Sequence, residues 1–204
     1  MTSVINASTT TGISLSSDTT GNLAIQTSGT TVATAAGGAL TVNSYSAGAS
    51  LITSGTAQNT TSGTSIDFTG IPSWVKRVTV MFSGVSTNGT SSVLVRIGDS
   101  GGISATGYQS AVMGTVVTSS SIGASSTAYV LGGASASNTC IGNLTINLAG
   151  TNNWIASGVF YFSDTQINSC AGAKTLSGAL TTVRITTVNG TDTFDAGSIN
   201  ILYE

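Results

Sequence analysis

Few residues in this chain could do chemistry. Gly98-Asp99-Ser100-Gly101-Gly102 is the setting in which many serine proteases carry their nucleophile. That chemistry needs a histidine to take the hydroxyl proton and an acid to orient it. The chain has no histidine, so the segment reads as a glycine-rich hairpin turn after a strand ending at Ile97. Cys140 and Cys170 are the only cysteines. A closed zinc site wants four ligands, so two thiols without histidine do not build one. One disulfide and two free buried thiols both stay open as readings of the pair. Asn189, Asp192 and Asp195 crowd oxygen atoms into one segment, and Asp99 or Asp164 could join them in space. The spacing is not that of an EF-hand loop, and Asx residues in turns usually bond to their own backbone. A glycosidase pair would have to come from six aspartates and Glu204. A carboxyl kept protonated needs an apolar pocket, and only Asp67-Phe68 and Phe194-Asp195 set an acid beside an aromatic. No catalytic, cofactor-binding or metal-binding residue is therefore assigned, and no enzyme activity is expected. Trp74, Tyr108, Tyr129 and Trp154 are the aromatics best suited to stack on a sugar, with Tyr161 behind them. Core packing is the plainer alternative for each, and Trp74, just after Pro72-Ser73, would plug one end of the fold.

Composition narrows the class further. Among 204 residues there are 5 Lys and Arg against 7 Asp and Glu, a net charge of −2. Charged residues make up 6% of the chain, where an ordinary soluble domain has about 25%. Five scattered cations leave no electrostatic footprint for nucleic acid. No run of 18 apolar residues exists, so no membrane insertion is expected. The opening MTSVINASTTTG shows neither a basic region nor an apolar stretch, so no secretory signal is read there. The five Asn-x-Ser/Thr sequons are what chance gives in so hydroxyl-rich a chain. Ser, Thr and Gly together number 32, 35 and 26. With 40% apolar residues and almost no net charge, the chain does not have the composition of disorder. Its hydroxyls read as the polar faces of strands, since threonine is β-branched and fits a pleated surface.

The elements that would position these residues are short strands. In the first 48 residues, apolar pairs recur every 8 to 10 positions with turn formers between them, as Ile13/Leu15, Leu23/Ile25, Val32/Ala33 and Leu40/Val42. Each strand offers two core residues, too few for a stable sheet alone. Self-association of three chains around a narrow shared core would supply the rest. The alternative is a flexible Gly/Ser/Thr linker. Residues 44–64 read as a connection with one strand at Ala49–Thr53. Beyond them, Lys76–Val85 alternates, with Val78, Val80 and Phe82 on one face. Further strands are predicted at Ser92–Ile97, Tyr108–Val117, Thr127–Leu131, Gly142–Leu148, Asn153–Phe162, Thr181–Val188 and Gly197–Tyr203. Asn-Gly at Thr87–Thr90 and at Asn189–Asp192 is the strongest short hairpin signal. The expected fold is all-β: an N-terminal arm (1–45), a linker (46–61) and a jelly-roll-like β-sandwich head (62–204).

The wording of the second part resembles a family. GTSIDFTGIPSWVKRVTVMFSGVSTNGTS (63–91) resembles a recurrent opening in virion-associated, tail-fibre-like proteins of tailed bacteriophages. KTLSGALTTVRITTVNGTDTFDAGSINILYE (174–204) resembles the end of the same module. The middle, about 100–173, is its variable part. TTGISLSSDTTGNLAIQTSGTTVATAAGGALTV (10–42) resembles short particle-proximal segments of phage fibres. The resemblance implies a homotrimer on the phage particle surface, assembled in the host cytoplasm and docked on capsid or tail proteins through its arm. It carries over no catalytic residue. Loops at Asp99–Gly107, Ser119–Ser126 and Gly132–Thr139 would supply contacts to bacterial surface glycan. A capsid cement without receptor binding is the alternative, and a tailspike-type depolymerase the lesser one.

Overall fold

The computed structural model describes residues 52–116, 119–133, 135–162 and 166–204, together with four N-terminal strands. Asp164, residues 46–51 of the linker and most of the strand read at Ala49–Thr53 lie outside the described residues. The chain divides into two units, Met1–Ser50 and Leu51–Glu204. In the first, β1 (Ser14–Ser17), β2 (Leu23–Thr27), β3 (Thr30–Ala36) and β4 (Ala39–Val42) pair in sequence order as an antiparallel sheet.

The second unit is all-β, with no helix among the described residues. Its strands are β5 (Thr53–Ser54), β6 (Gln58–Asn59), β7 (Ser65–Thr69), β8 (Arg77–Thr87), β9 (Val93–Asp99), β10 (Gly102–Ile103), β11 (Tyr108–Val116), β12 (Ser119–Ser125), β13 (Tyr129–Gly132), β14 (Cys140–Gly150), β15 (Asn153–Phe162), β16 (Gln166–Thr175), β17 (Thr182–Thr187) and β18 (Phe194–Tyr203). They make two antiparallel sheets. The large one runs β12-β11-β16-β15-β14-β8-β18, with β5 and β6 on the outer edge of β18. The small one runs β9-β17-β7, with β10 and β13 sharing the free edge of β9. So part of the segment read as a linker extends the large sheet.

One apolar cluster joins the inner faces in a β-sandwich-like arrangement. Val78, Val80 and Phe82 of β8 face inward as their alternation requires, and Val93, Val95 and Ile97 of β9 meet them from the small sheet. Phe82 and Phe160 pack edge to face at 5.6 Å, the arrangement that aromatic quadrupoles favour.

Neither Asn-Gly segment closes a hairpin. β8 pairs with β18 and β9 with β17, so the chain crosses between the sheets after Thr87 and crosses back after Thr187. The two crossings run side by side and bond to each other. Asn88 N–H donates to the Thr193 carbonyl at 2.9 Å, and Thr193 N–H returns to Asn88 Oδ1 at 2.9 Å. Asn189 Oδ1 accepts from Thr187 Oγ1, Thr191 N–H and Asp192 N–H. The Asp192 carboxylate lies against Gly89, so closely that a Cβ there would sit 2.0 Å from it. Asn-Gly here serves close packing of two crossings instead of a tight two-residue turn.

Besides the two-residue β6 and β10, three strands are absent from the sequence reading. β7 is short, β16 is built from Gln166-Ile167-Asn168-Ser169-Cys170-Ala171-Gly172-Ala173-Lys174-Thr175, and β12 is the segment read as a variable loop at Ser119–Ser126.

Candidate functional site

The register of the strands sorts the following described connections to one of two ends of the sandwich. At one end lie 88–92, 132–139 and 188–193. At the other lie 70–76, 100–107, 126–128, 151–152 and 176–181. The three stretches expected to form one contact surface therefore do not meet. Asp99–Gly107 and Gly132–Thr139 lie at opposite ends, and Ser119–Ser126 is the edge strand β12.

The nominated aromatics sit toward the 100–107 end, and three of them belong to the interior. Tyr129 is fully buried and donates its hydroxyl to the Trp154 carbonyl at 2.9 Å. Tyr108 stacks edge to face on it at 5.0 Å. The Tyr108 hydroxyl accepts from Ile97 N–H at 2.8 Å and donates to the Ser104 carbonyl at 3.1 Å. Burial pushes the Tyr108 phenol up to about 12, so it stays a neutral donor. Trp154 is 2% exposed. These rings plug the end of the core and are closed to any outside ligand. Trp74 alone is accessible, 42% exposed, with its ring 6.1 Å from that of Tyr203.

The same end carries two shallow adjoining hollows. One, of about 340 Å³, is lined by Gly107, Tyr108, Gln109, Asn153, Ala173, Lys174 and Thr175. The other, of about 350 Å³, is lined by Asp99, Gly101–Ser104 and Lys174–Ser177. Lys174 and Thr175 are common to both. The Lys174 ammonium lies 5.5 Å from the Tyr108 ring centroid, in cation–π range. Lys174, Gln109 and Asn153 were not nominated by motif. The signal open to a reader was the rarity of cations, since a lysine in a chain with five is conspicuous.

Asp99 shows what the Gly98–Gly102 segment does. Ser100-Gly101 forms the two-residue turn of the β9–β10 hairpin, with Gly102 opposite Asp99, as the sequence predicts. Asp99 Oδ1 accepts from Gly101 N–H at 2.8 Å, and Oδ2 accepts from Ser177 Oγ at 2.6 Å and Gly178 N–H at 2.9 Å. The hydrogen bond from Ser177, then that from Gly101, holds this carboxyl below the usual carboxylate range. It is an ionised staple between two loops and is unsuited to act as a general acid.

Every other described carboxylate is engaged as well. Asp67 takes a bidentate pair from Arg184 at 2.7 and 2.6 Å. Asp192 accepts from Ser91 N–H and Asn189 Nδ2. Ser86 Oγ donates to Asp195, and Glu204 pairs with Arg77. Among the described residues, no three of His, Cys, Asp and Glu gather as metal ligands would.

Cys140 and Cys170 are both free and buried. β15 lies between their strands, and the register sets them four positions out of line. Strand spacing and rise then put their Cα atoms roughly 16 Å apart, against about 7 Å at most for a disulfide. Of the two readings, the structure shows free thiols.

The hollows thus offer one ammonium, side-chain amides and hydroxyls, which can hydrogen-bond a polyol. Their one hydroxyl–carboxylate pair is Ser177 with Asp99, and a carboxylate held below its usual range is a weak base for a hydroxyl. Compared with family models, with curated proteins and with solved structures, the chain finds no match.

Proposed function

We propose that this chain is a non-enzymatic structural protein of a tailed-phage particle. In this reading it is a short trimeric fibre or decoration, attached by residues 1–45 and presenting the sandwich outward, where it takes up bacterial surface glycan. One observation carries the reading. The two segments whose wording resembles the phage module, 63–91 and 174–204, pair with each other as β7 with β17 and β8 with β18, and their Asn-Gly crossings bond together. They form a frame, and residues 100–173 supply β10 to β16 on it. A fixed frame with an exchangeable middle suits a surface protein whose target varies.

The winding supports the same class. β8/β18, β9/β17 and β11/β16 are nested pairs, as in a jelly roll, with the β14–β15 hairpin inserted in the large sheet. The engaged carboxylates favour contact over catalysis. The Lys174 hollows and Trp74 are the surface to which glycan is assigned, with affinity gained through valency.

Immunogold electron microscopy of purified phage particles with antibody to residues 62–204 tests the reading. Tail label together with binding of the full chain to host cells supports a fibre. Label over the head, with capsids that break more easily when the protein is absent, supports the cement alternative. Absence of label overturns the particle assignment. Release of reducing sugar from host polysaccharide overturns the non-enzymatic part.

A further inference from the structure

The outer face of the large sheet has no cover within the sandwich and carries no charge over five adjacent strands. Directly paired residues of antiparallel strands point to the same side. Ile167, Tyr161 and Ile141 therefore stand abreast on β16, β15 and β14. One row along, Met113 and Ile122 are paired on β11 and β12, with Val159 two strands away. These six side chains are 43% to 77% exposed. The other positions on this face are Ile155 and residues of Ala, Ser, Thr, Asn and Gln. Among the described residues, Arg77 at a corner on β8 is the charge on the adjoining strand, and it is paired with Glu204. An isolated exposed Ile means little, but a contiguous apolar block on a monomer marks an interaction surface.

We propose that this face binds a second copy of the same chain, sheet face against sheet face. The inference adds a two-fold self-contact to the self-association in the reading above, since identical faces join two copies at a time, and it stands without the phage particle. Two arguments select a second copy. The first is electrostatic. A partner of opposite charge gains nothing from a face without charge, whereas an identical neutral face meets no repulsion and strands no ion. The second is area. Five strands, β12 to β14, and four side-chain rows cover about 24 by 27 Å, or roughly 650 Å². That is within the range one partner contributes to an interface of standard size. The mixture of aliphatic residues, a tyrosine and small polar residues also matches the composition of interface cores. β12 strengthens the case: it is a seven-residue edge strand without charge or proline, lacking the devices that keep sheet edges apart.

Sedimentation equilibrium of the full chain and of Val159→Lys/Ile167→Lys tests this. Both positions are exposed in the single chain, so the variant should keep the wild-type circular dichroism. Val159→Ser/Ile167→Ser removes the apolar atoms without adding charge and serves as a second variant should the lysines disturb folding. The wild type is expected to have a mass that is a multiple of 20.1 kDa. The lysine variant should dissociate at a concentration at least a hundredfold higher, and the serine variant at an intermediate one. An oligomer that both variants leave intact overturns the face assignment while keeping self-association through another surface, such as residues 1–50. A monomeric wild type overturns both. A monomer whose melting temperature the lysines lower shows that the chain covers this face with itself, and overturns the proposal too.

Discussion

Cys140 and Cys170 illustrate how neighbours decide a side chain's chemistry. A thiol reacts as its thiolate, and burial disfavours the charged form. It pushes Cys140 up to about 12, with Cys170 adding to the effect, and Cys170 up to about 11. At pH 8 the folded chain should take up almost no maleimide within an hour, and two equivalents in urea, as read by intact mass. Rapid labelling without denaturant would contradict the buried placement. Asp99 works in the opposite direction. Its folded pKa is lowered, so it stabilises the fold above the ordinary carboxylate range. That contribution is lost as pH falls through the folded value. Melting temperatures should therefore drop below about pH 4, and Asp99→Asn should flatten that drop while lowering the melting temperature at pH 7. Equal pH profiles for both proteins would remove Asp99 as a cause. At this scale the sequence was partly readable. The absence of histidine settled Ser100 at once, because one missing residue type disables a mechanism. Core packing, the plainer reading of Tyr108, Tyr129 and Trp154, is what the structure shows, though an aromatic ring has the same letters in a core and on a sugar site.

Strands with strong alternation were legible and weak ones were not. β8 has β-branched and aromatic residues at every second position, and its inward set is Val78, Val80 and Phe82. β16 has Asn168, Cys170 and Gly172 on its inward side and Ala171 and Ala173 on the other, so little contrast marks it. It becomes a strand because β11 and β15 flank it and satisfy its backbone. Asn-Gly was misread for a related reason: the local signal fixes a bend, while the sheet in which the next strand lands depends on distant partners. The β8–β18 pairing is interrupted by bulges at Gly84 and Gly197, whose φ angles are +64° and +90°. A Cβ at Gly197 would lie 2.4 Å from the Gly84 carbonyl oxygen. Gly197→Ala should cost about 2–4 kcal/mol from backbone strain and this contact. A melting temperature lowered by at least roughly 5 °C is expected, and an unchanged one would show that the bulge can relax.

At the scale of the whole molecule, composition indicated the class and left the wiring hidden. Six per cent charge and abundant hydroxyls pointed to an all-β fold. Nothing in them says that β8 lies beside β18, because that pairing is decided by which closure buries the most apolar surface. Pairings of such wide sequence separation slow folding, since loops must close before contacts compensate for them. Refolding from urea, followed by tryptophan fluorescence, should take milliseconds to seconds. A microsecond phase carrying the full amplitude would show that local contacts dominate after all.

The nested pairing also sets a timetable for synthesis. Thr87 finds its partner Phe194 only after more than a hundred further residues have been made. Until then β8 presents an open edge at the ribosome, and the Asn88 and Asn189 crossings have nothing to lock against. Chains that stall before β18 should be sticky and short-lived, whereas chains that include β18 can cover the β8 edge. Closure of the β8 edge therefore waits on β18, and the large sheet keeps that edge open until the strand has been made.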